Sequence, residues 1–125
     1  MEKFNIKSSF NQLNQDEKSD IELCRLIDGE TSFLIAELKP GKTLPAHFHT
    51  EGSEIYHILS GTGKMETGKV SKNSVAWEGS HKIAAGDVFE IKSNVVHRLS
   101  NEGTDSLKIV FVTPPSHLGD DRFFI

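Results

Sequence analysis

The chain of 125 residues contains one cysteine, no run of Lys or Arg, and no long apolar stretch. A single thiol, Cys24, excludes an internal disulfide and any zinc site built from several cysteines. Charges of both signs are scattered and sum to −4, so no basic surface indicates a nucleic-acid partner. No apolar segment reaches membrane-spanning length, and the first residues have no signal-peptide core. We therefore expect no nucleic-acid or membrane contact and a cytoplasmic location.

What the chain does contain is the composition of one small β domain. Its length leaves room for a single core, and the apolar fraction of 36% suits a two-layer β protein better than a large helical core. Residues 1–20 are polar and predict an N-terminal arm. Residues 21–113 carry the strand signals of one barrel domain, and residues 114–125 predict an irregular C-terminal tail.

Strand-like segments begin at Ile21 and follow one another to the end of the predicted domain. The dipeptide Asp28-Gly29 predicts a two-residue turn between segments 21–27 and 31–38. Many short strands separated by turns are typical of a sandwich or a barrel. The interval 68–82 predicts a longer hairpin or a surface loop. The further strand segments are 44–49, 54–60, 63–70, 75–77, 82–84, 88–91, 96–101 and 107–113.

Two histidines and a glutamate lie close together in a pattern that suits a metal site. Side chains two apart in a strand point to the same face, so His47 and His49 lie about 6.5 Å apart along one side. Gly52 belongs to a polar link that can turn and return Glu54 towards the histidines. A fourth candidate ligand, His97, comes much later in the chain, after another strand-like segment.

These residues stand inside a longer spaced motif. Six residues after Gly41 comes the His-x-His pair, and after Glu54 six residues precede the next glycine. This spacing resembles the first signature motif of the cupin family without departure. The matching positions are Gly41, His47, His49, Glu54 and Gly61.

A second cupin motif is recognisable but departs from the family pattern. Ten residues separate Gly86 from His97, and Asn101 follows after three more. The family usually has proline and glycine where this chain has Lys92 and Asn94. Asn tolerates positive φ better than most residues, so the turn before His97 can still form. The resemblance covers residues 40–101, about half of the chain.

The resemblance implies an all-β double-stranded β-helix, the jelly-roll barrel of the cupins. It also implies one divalent metal ion bound inside the barrel by His47, His49, Glu54 and His97. Small cupins similar to this chain are commonly homodimers. We expect the hairpin of residues 21–38 and the arm before it to form that interface, because a free edge strand favours aggregation.

Three imidazoles and one carboxylate suit Mn²⁺, Fe²⁺, Co²⁺, Ni²⁺ or Zn²⁺. Four protein ligands leave about two positions of a six-coordinate ion open to water or to a chelating substrate. The site then carries a charge of about +1, which favours an anionic oxygen ligand. We expect a metal-dependent enzyme that acts on a small oxygen-rich molecule, such as a keto acid, a diketone or a sugar-derived compound. Dioxygenation, decarboxylation, isomerisation and lyase chemistry all remain open.

Two non-catalytic interpretations also remain open. In one, the protein binds or senses a small-molecule ligand through the metal without converting it. In the other, the barrel is a structural or storage-like module with an empty site. An enzyme needs an acid or base near the open positions, and Tyr56 is the inward candidate for that role.

Strand parity sorts the remaining polar candidates. Tyr56 shares the inward face with Glu54, where it is either a catalytic hydroxyl or a core tyrosine. His57 should point away from the metal, as a packed or interfacial side chain. His117 and Arg122 could fold over the barrel mouth and meet an anionic ligand, but we favour a surface role for both.

Overall fold

The computed structural model describes all 125 residues, and it is built almost entirely from antiparallel strands. A four-residue helix, α1 (Ile6–Ser9), and a 3₁₀ turn (Phe10–Gln12) precede the first strand, and a second 3₁₀ turn (Pro115–Leu118) follows the tenth. The strands are β1 (Asn14–Gln15), β2 (Glu22–Asp28), β3 (Ser32–Leu38), β4 (Thr43–Phe48), β5 (Glu54–Ser60), β6 (Thr62–Ser71), β7 (Ser74–Ala84), β8 (Val88–Ile91), β9 (Val96–Ser100), β10 (Leu107–Thr113) and β11 (Phe123–Phe124).

The strands form two sheets. One has six strands in the order β1-β2-β3-β10-β5-β8, and the other has five in the order β11-β4-β9-β6-β7. Every pairing is antiparallel. From β3 to β11 consecutive strands alternate between the two sheets, except that β6 and β7 are neighbours in the five-stranded sheet. The predicted all-β class is confirmed.

The core lies between the two sheets, and strand alternation explains which residues enter it. On β5, Tyr56 and Ile58 are fully buried, whereas Ile55 and His57 face outward. His57 is exposed, so its predicted outward orientation is confirmed. The main core cluster contains fourteen residues: Ile21, Leu34, Ala36, Leu38, Leu44, Tyr56, Ile58, Met65, Ile83, Ile91, Leu99, Leu107, Ile109 and Phe111.

The first twenty residues cover the outer face of the six-stranded sheet. Helix α1 begins after Asn5, whose side chain accepts a hydrogen bond from the Ser8 N–H (3.0 Å). Apolar side chains from this segment then pack on a second small cluster, whose buried members are Leu26, Ile35 and Val110. The sequence analysis did not predict this helix, because one turn is too short to show a helical period.

Residues 68–82 lie in a long β6–β7 hairpin, which confirms the first of the two predicted alternatives and excludes a surface loop. The predicted segments 75–77 and 82–84 are joined in one continuous strand, β7, which pairs along the whole of β6. Lys72 and Asn73 form the tight turn with φ values of 49° and 64°. A register shift at Gly68 leaves no room for a Cβ against the Ala76 carbonyl. The polar, glycine-containing stretch is thus held by cross-strand pairing that local propensity does not reveal.

The structure contains no helix with the length and apolarity needed to cross a membrane.

Candidate metal centre

The four predicted ligands meet at one end of the barrel, between the two sheets. His47 on β4 is directly paired with His97 on β9 in the five-stranded sheet. His49 follows the last residue of β4, and Glu54 is the first residue of β5 in the opposite sheet. The short link with Gly52, which has a φ of 70°, returns the chain between them as predicted.

One ligand atom from each of the four residues lies within 4.8 Å of the others. Glu54 Oε2 is 2.9 Å from His49 Nε2 and 3.6 Å from His97 Nε2. The residues are almost completely enclosed, with exposed fractions of 3% for His47, 5% for His49, 6% for Glu54 and 0% for His97. The structure therefore brings together the whole set that the sequence analysis singled out.

Each histidine of the set is oriented by a backbone carbonyl. The Nδ1 atoms of His47 and His97 lie 2.8 Å from the Pro45 oxygen and 3.0 Å from the Val95 oxygen. Because a carbonyl only accepts, Nδ1 carries the proton in each neutral ring. The Nε2 lone pair is then free to point into the cluster. This is the support from neighbouring groups that metal-binding histidines require.

His49 is held in the same way, but by the far end of the chain. Its Nδ1 donates to the carbonyl of Asp121, 2.5 Å away. The turn before His97 also touches this region: Asn94 has a φ of 66°, and its N–H donates to the His49 carbonyl (2.7 Å). The departure from the second motif is thus tolerated as expected.

The atoms facing the centre have no hydrogen-bond partner in the protein. His49 Nε2, His97 Nε2 and Glu54 Oε2 are buried and unpaired, as are Tyr56 Oη and His117 Nδ1. Buried polar atoms are rarely left unpaired, since each costs about 1–3 kcal/mol. Imidazole and carboxylate lone pairs converging within 4.8 Å are satisfied together by one cation. The residues therefore fit a divalent metal ion.

The pKa values of the cluster favour the metal-binding protonation states. Burial lowers the pKa of His47 to about 3, with the neighbouring His97 charge acting in the same direction. His47 is thus neutral and able to coordinate at ordinary pH. Burial opposes ionisation of Glu54, but the facing imidazoles of His117, His49 and His97 outweigh it and hold the carboxyl pKa well below its ordinary value.

Tyr56 lies on the inward face, as predicted, and its ring stacks on Phe89 with centroids 4.9 Å apart. It is completely buried, and its hydroxyl has no hydrogen-bond partner. Burial, followed by the nearby Glu54 charge, raises the pKa of Tyr56 well above its usual value. The hydroxyl therefore stays protonated and can only donate or accept a hydrogen bond. Its catalytic role remains a prediction.

His117 belongs to this centre, and the surface role that we favoured for it is wrong. The second 3₁₀ turn buries His117 to 2% exposure and stacks its ring on His49, with centroids 3.9 Å apart and planes at 4°. Its Nε2 donates to the Glu51 carbonyl (2.6 Å), and its Nδ1 lies 3.8 Å from Glu54 Oε2. The sequence offered one indirect signal, the apolar end Phe123–Ile125, which requires a surface to pack on.

The tail is fixed over the barrel mouth by Asp121. One carboxylate oxygen accepts from the Thr50 N–H (2.8 Å) and hydroxyl (2.7 Å), and the other accepts from the Glu51 N–H (2.8 Å). These bonds attach the tail to the turn between His49 and Glu54. The tail therefore supports the candidate ligands from outside the barrel.

Arg122 is also enclosed rather than exposed. Its two terminal nitrogens donate to both carboxylate oxygens of Asp16, at 3.0 and 3.1 Å, and the two side chains are only 7% and 9% exposed. This pair joins the N-terminal segment to the C-terminal tail. The expected surface role for Arg122 is therefore wrong as well.

Tail and barrel together line a partly open cavity of about 40 Å³ at the cluster. Its polar lining includes both residues from the tail that the sequence analysis had placed outside the site. The lining residues are Ile21, Leu23, Leu34, Leu44, His47, His49, Glu54, Phe111, Thr113, His117, Leu118 and Arg122.

The two motifs, the two-sheet barrel and the buried ligand set agree with a family assignment. The model of the cupin domain matches residues 34–113, which is more than half of the chain. The chain belongs to the cupin family. This confirms the resemblance on which the double-stranded β-helix fold was predicted.

Relatives of known name are distant. Mannose-1-phosphate guanylyltransferase RfbM of Salmonella typhimurium is 26% identical over 98 residues, which cover 77% of this chain and 19% of that protein. The chain thus spans about a fifth of the length of this curated relative.

Two solved structures support the fold. A Klebsiella pneumoniae protein with a double-stranded β-helix domain has a TM-score of 0.67 at 19% identity, covering 95% of this chain and 94% of that one. Oxalate decarboxylase of Bacillus subtilis, described with Mn(II) centres, has a TM-score of 0.61 at 18% identity, covering 81% of this chain and 27% of that one. At these identities, the likeness concerns the fold.

Proposed function

We propose that this cupin is a metal-dependent enzyme that acts on a small oxygen-rich molecule at one divalent ion. The ion would be held by His47, His49, Glu54 and His97. The observation that carries the proposal is the convergence of their four ligand atoms within 4.8 Å, where those of His49, Glu54 and His97 are buried and unpaired. Mn²⁺, Fe²⁺, Co²⁺, Ni²⁺ and Zn²⁺ all suit three imidazoles and a carboxylate. The Mn(II) centres of the B. subtilis neighbour make Mn²⁺ the first ion to test.

The bound ion would act as a Lewis acid on substrate oxygen atoms at coordination positions left open by the four protein ligands. The chain's own residues supply the rest of the site. Glu54 offsets one of the two metal charges, so the centre retains about +1 and attracts anionic oxygen. The apolar walls from Leu34, Leu44 and Phe111 exclude water from the cavity and strengthen these interactions.

Tyr56 is the internal hydroxyl that supports catalysis in this proposal. It remains protonated at ordinary pH, so it can donate to an oxygen atom that gains negative charge during the reaction. Its side chain is completely buried on the inward face of β5, which fixes the donor before the substrate arrives. Tyr56→Phe should leave metal content unchanged and lower kcat by about 100-fold to 1,000-fold, as expected for one lost donor.

A non-catalytic binding or sensing module is the alternative, and turnover distinguishes it from an enzyme. Purified protein loaded with one equivalent of Mn²⁺, Fe²⁺, Co²⁺, Ni²⁺ or Zn²⁺ should convert at least one member of a panel of keto acids, diketones and sugar acids. Binding without any product in every metal form would favour the sensing module. Failure of the chain to retain a stoichiometric ion would contradict both interpretations.

A further inference from the structure

We propose that the C-terminal tail completes the metal centre as the binding site for a small carboxylate or hydroxy acid of about two to three carbons. His117 is the positioning residue that hydrogen-bonds this ligand. The inference rests on the proposed metal function and narrows its substrate class. It depends on three observations: the direction in which the unpaired Nδ1 of His117 points, the burial of Arg122, and the volume of the cavity that the tail covers.

His117 is not placed to be a fifth ligand of the same ion. A metal lies close to the plane of an imidazole that coordinates it, because the nitrogen lone pair lies in that plane. The rings of His117 and His49 are parallel within 4° and stacked at 3.9 Å, so their planes do not meet near the cluster. If His49 coordinates the ion, His117 faces a ligand that is bound to the ion next to His49.

The free atom of His117 points to that neighbouring space. Its Nε2 donates to the Glu51 carbonyl, which leaves Nδ1 as the atom without a partner, 3.8 Å from Glu54 Oε2. That gap is longer than a hydrogen bond. With the ring proton on Nε2, Nδ1 is an acceptor that suits the hydroxyl of a hydroxy acid such as glycolate. A ligand oxygen in the cavity therefore satisfies an atom that the protein leaves unpaired.

Arg122 supplies a second unpaired group in the same cavity. Its terminal nitrogens are occupied by Asp16, but its Nε is buried without a partner. An N–H of a guanidinium is a strong donor to carboxylate oxygen. Asp16 already balances the Arg122 charge, so the residual charge of the metal centre favours an anion and the Arg122 Nε–H adds a hydrogen-bond donor.

The volume limits how much of a ligand can lie beside the candidate metal ligands. A cavity of about 40 Å³ is roughly three to four times the space that one water molecule needs. It accommodates a few non-hydrogen atoms, as in glycolate, and we expect the bulkier citrate and sugar acids to bind more weakly while the tail is in place. The three hydrogen bonds to the Asp121 carboxylate hold the tail there.

Glycolate binding to the Co²⁺-loaded protein tests the proposal, because a ligand entering the coordination sphere changes the visible spectrum of Co²⁺. His117→Phe keeps a ring stacked on His49 but removes Nδ1. We expect this variant to retain one equivalent of Co²⁺ and to bind glycolate at least about 10-fold more weakly, as for a lost hydrogen bond. The exposed histidine variant His57→Ala is the matched control and should equal the wild type.

The possible results separate the two proposals. Unchanged glycolate affinity in folded His117→Phe would overturn this inference, and so would wild-type protein that binds citrate as tightly as glycolate. Loss of Co²⁺ from folded His117→Phe would identify His117 as a ligand and also overturn it. If that variant does not fold, His117→Gln is measured with the same criteria. A wild-type chain that takes up no Co²⁺ contradicts the proposed function and this inference together.

Discussion

Two regions of the molecule contain many polar side chains: the barrel mouth, which the tail covers, and the β6–β7 hairpin. The two regions differ in how far these side chains are buried and in whether they have hydrogen-bond partners. At the mouth, His97 is 0% exposed and its Nε2 has no hydrogen-bond partner. On the hairpin side, Glu66 accepts two hydrogen bonds from Arg98 at 3.0 and 3.1 Å while water still reaches both side chains.

Polar atoms at the mouth lack a hydrogen-bond partner and are available to a ligand. Those of the hairpin are already hydrogen-bonded within the protein. Surface ion pairs contribute at most about 1 kcal/mol, since water solvates the charges well without them. Buried unpaired groups cost more than that each, and a folded protein retains them where something else binds. Four measurements can break or sharpen the comparison.

Acid should have the largest effect, and the effect should come from the mouth. The pKa of His47 is about 3 in the folded, metal-free protein and about 6.5 when unfolded, so the unfolded state binds the proton first as pH falls. Stability is therefore lost between about pH 6.5 and 3, by roughly 5 kcal/mol from this group. Urea unfolding of the metal-free protein across this range measures the loss.

The same titration in His47→Phe provides the control. This variant removes the depressed histidine while it keeps an aromatic ring, so its stability should fall much less between pH 6.5 and 4. An identical pH dependence in both proteins would show that other groups cause the acid sensitivity.

Removal of a ligand should have the next largest effect. His49→Ala takes away one Nε2 donor, and loss of even a supporting group around a metal typically costs 10-fold to 100-fold in affinity. We expect Mn²⁺ affinity to fall by at least about 100-fold, measured by competition with a chelating dye. His81→Ala, which removes an exposed histidine of β7, should change it by less than about 2-fold. Equal losses in the two variants would contradict the site assignment.

Loss of the tail anchor should have an intermediate effect on stability. Asp121→Ala removes three hydrogen bonds from a charged acceptor to Thr50 and Glu51. Hydrogen bonds of this kind are worth about 1.5–3 kcal/mol each in favourable cases, and bound water will replace part of the loss. We expect a destabilisation of about 2–3 kcal/mol in chemical denaturation. A change below about 0.5 kcal/mol would mean that the tail is not held by this residue.

The smallest effect should come from the hairpin. Glu66→Gln weakens the pair with Arg98, whose hydrogen bonds hold the pKa of Glu66 below its ordinary value. Because both side chains are partly exposed, we expect less than about 1 kcal/mol in chemical denaturation and no change in Mn²⁺ affinity. An effect as large as that of Asp121→Ala would remove the contrast between the two regions.

Much of the barrel could be predicted because its signals are local. Alternation along Glu54–Ser60 placed Tyr56 inward and His57 outward, and both orientations are confirmed. Pairing is not local, and this explains why the sequence left a longer hairpin and a surface loop both open for residues 68–82. Residues between Gly68 and Lys82 form strand only because the whole of β6 lies beside them.

Within the metal site, the ligand set could likewise be predicted from the sequence, whereas the position of the tail could not. Spacing selected His47, His49 and Glu54, since strand alternation and a glycine turn bring them together over a few residues. No local rule connects His117 with His49, which are far apart in the chain. The contact exists because the tail docks through Asp121 on the turn that precedes Glu54.

The sequence by itself therefore determined the β class, the cupin motifs and the four candidate ligands, because residue spacing along a strand puts His47 and His49 on one face and the resemblance to the family motifs adds His97. Only the tertiary structure decided that the C-terminal tail covers the mouth, that His117 and Arg122 line the cavity, and that little space remains there. Those outcomes depend on contacts between distant segments, whose energies come from burial and hydrogen bonding in the folded chain rather than from local periodicity.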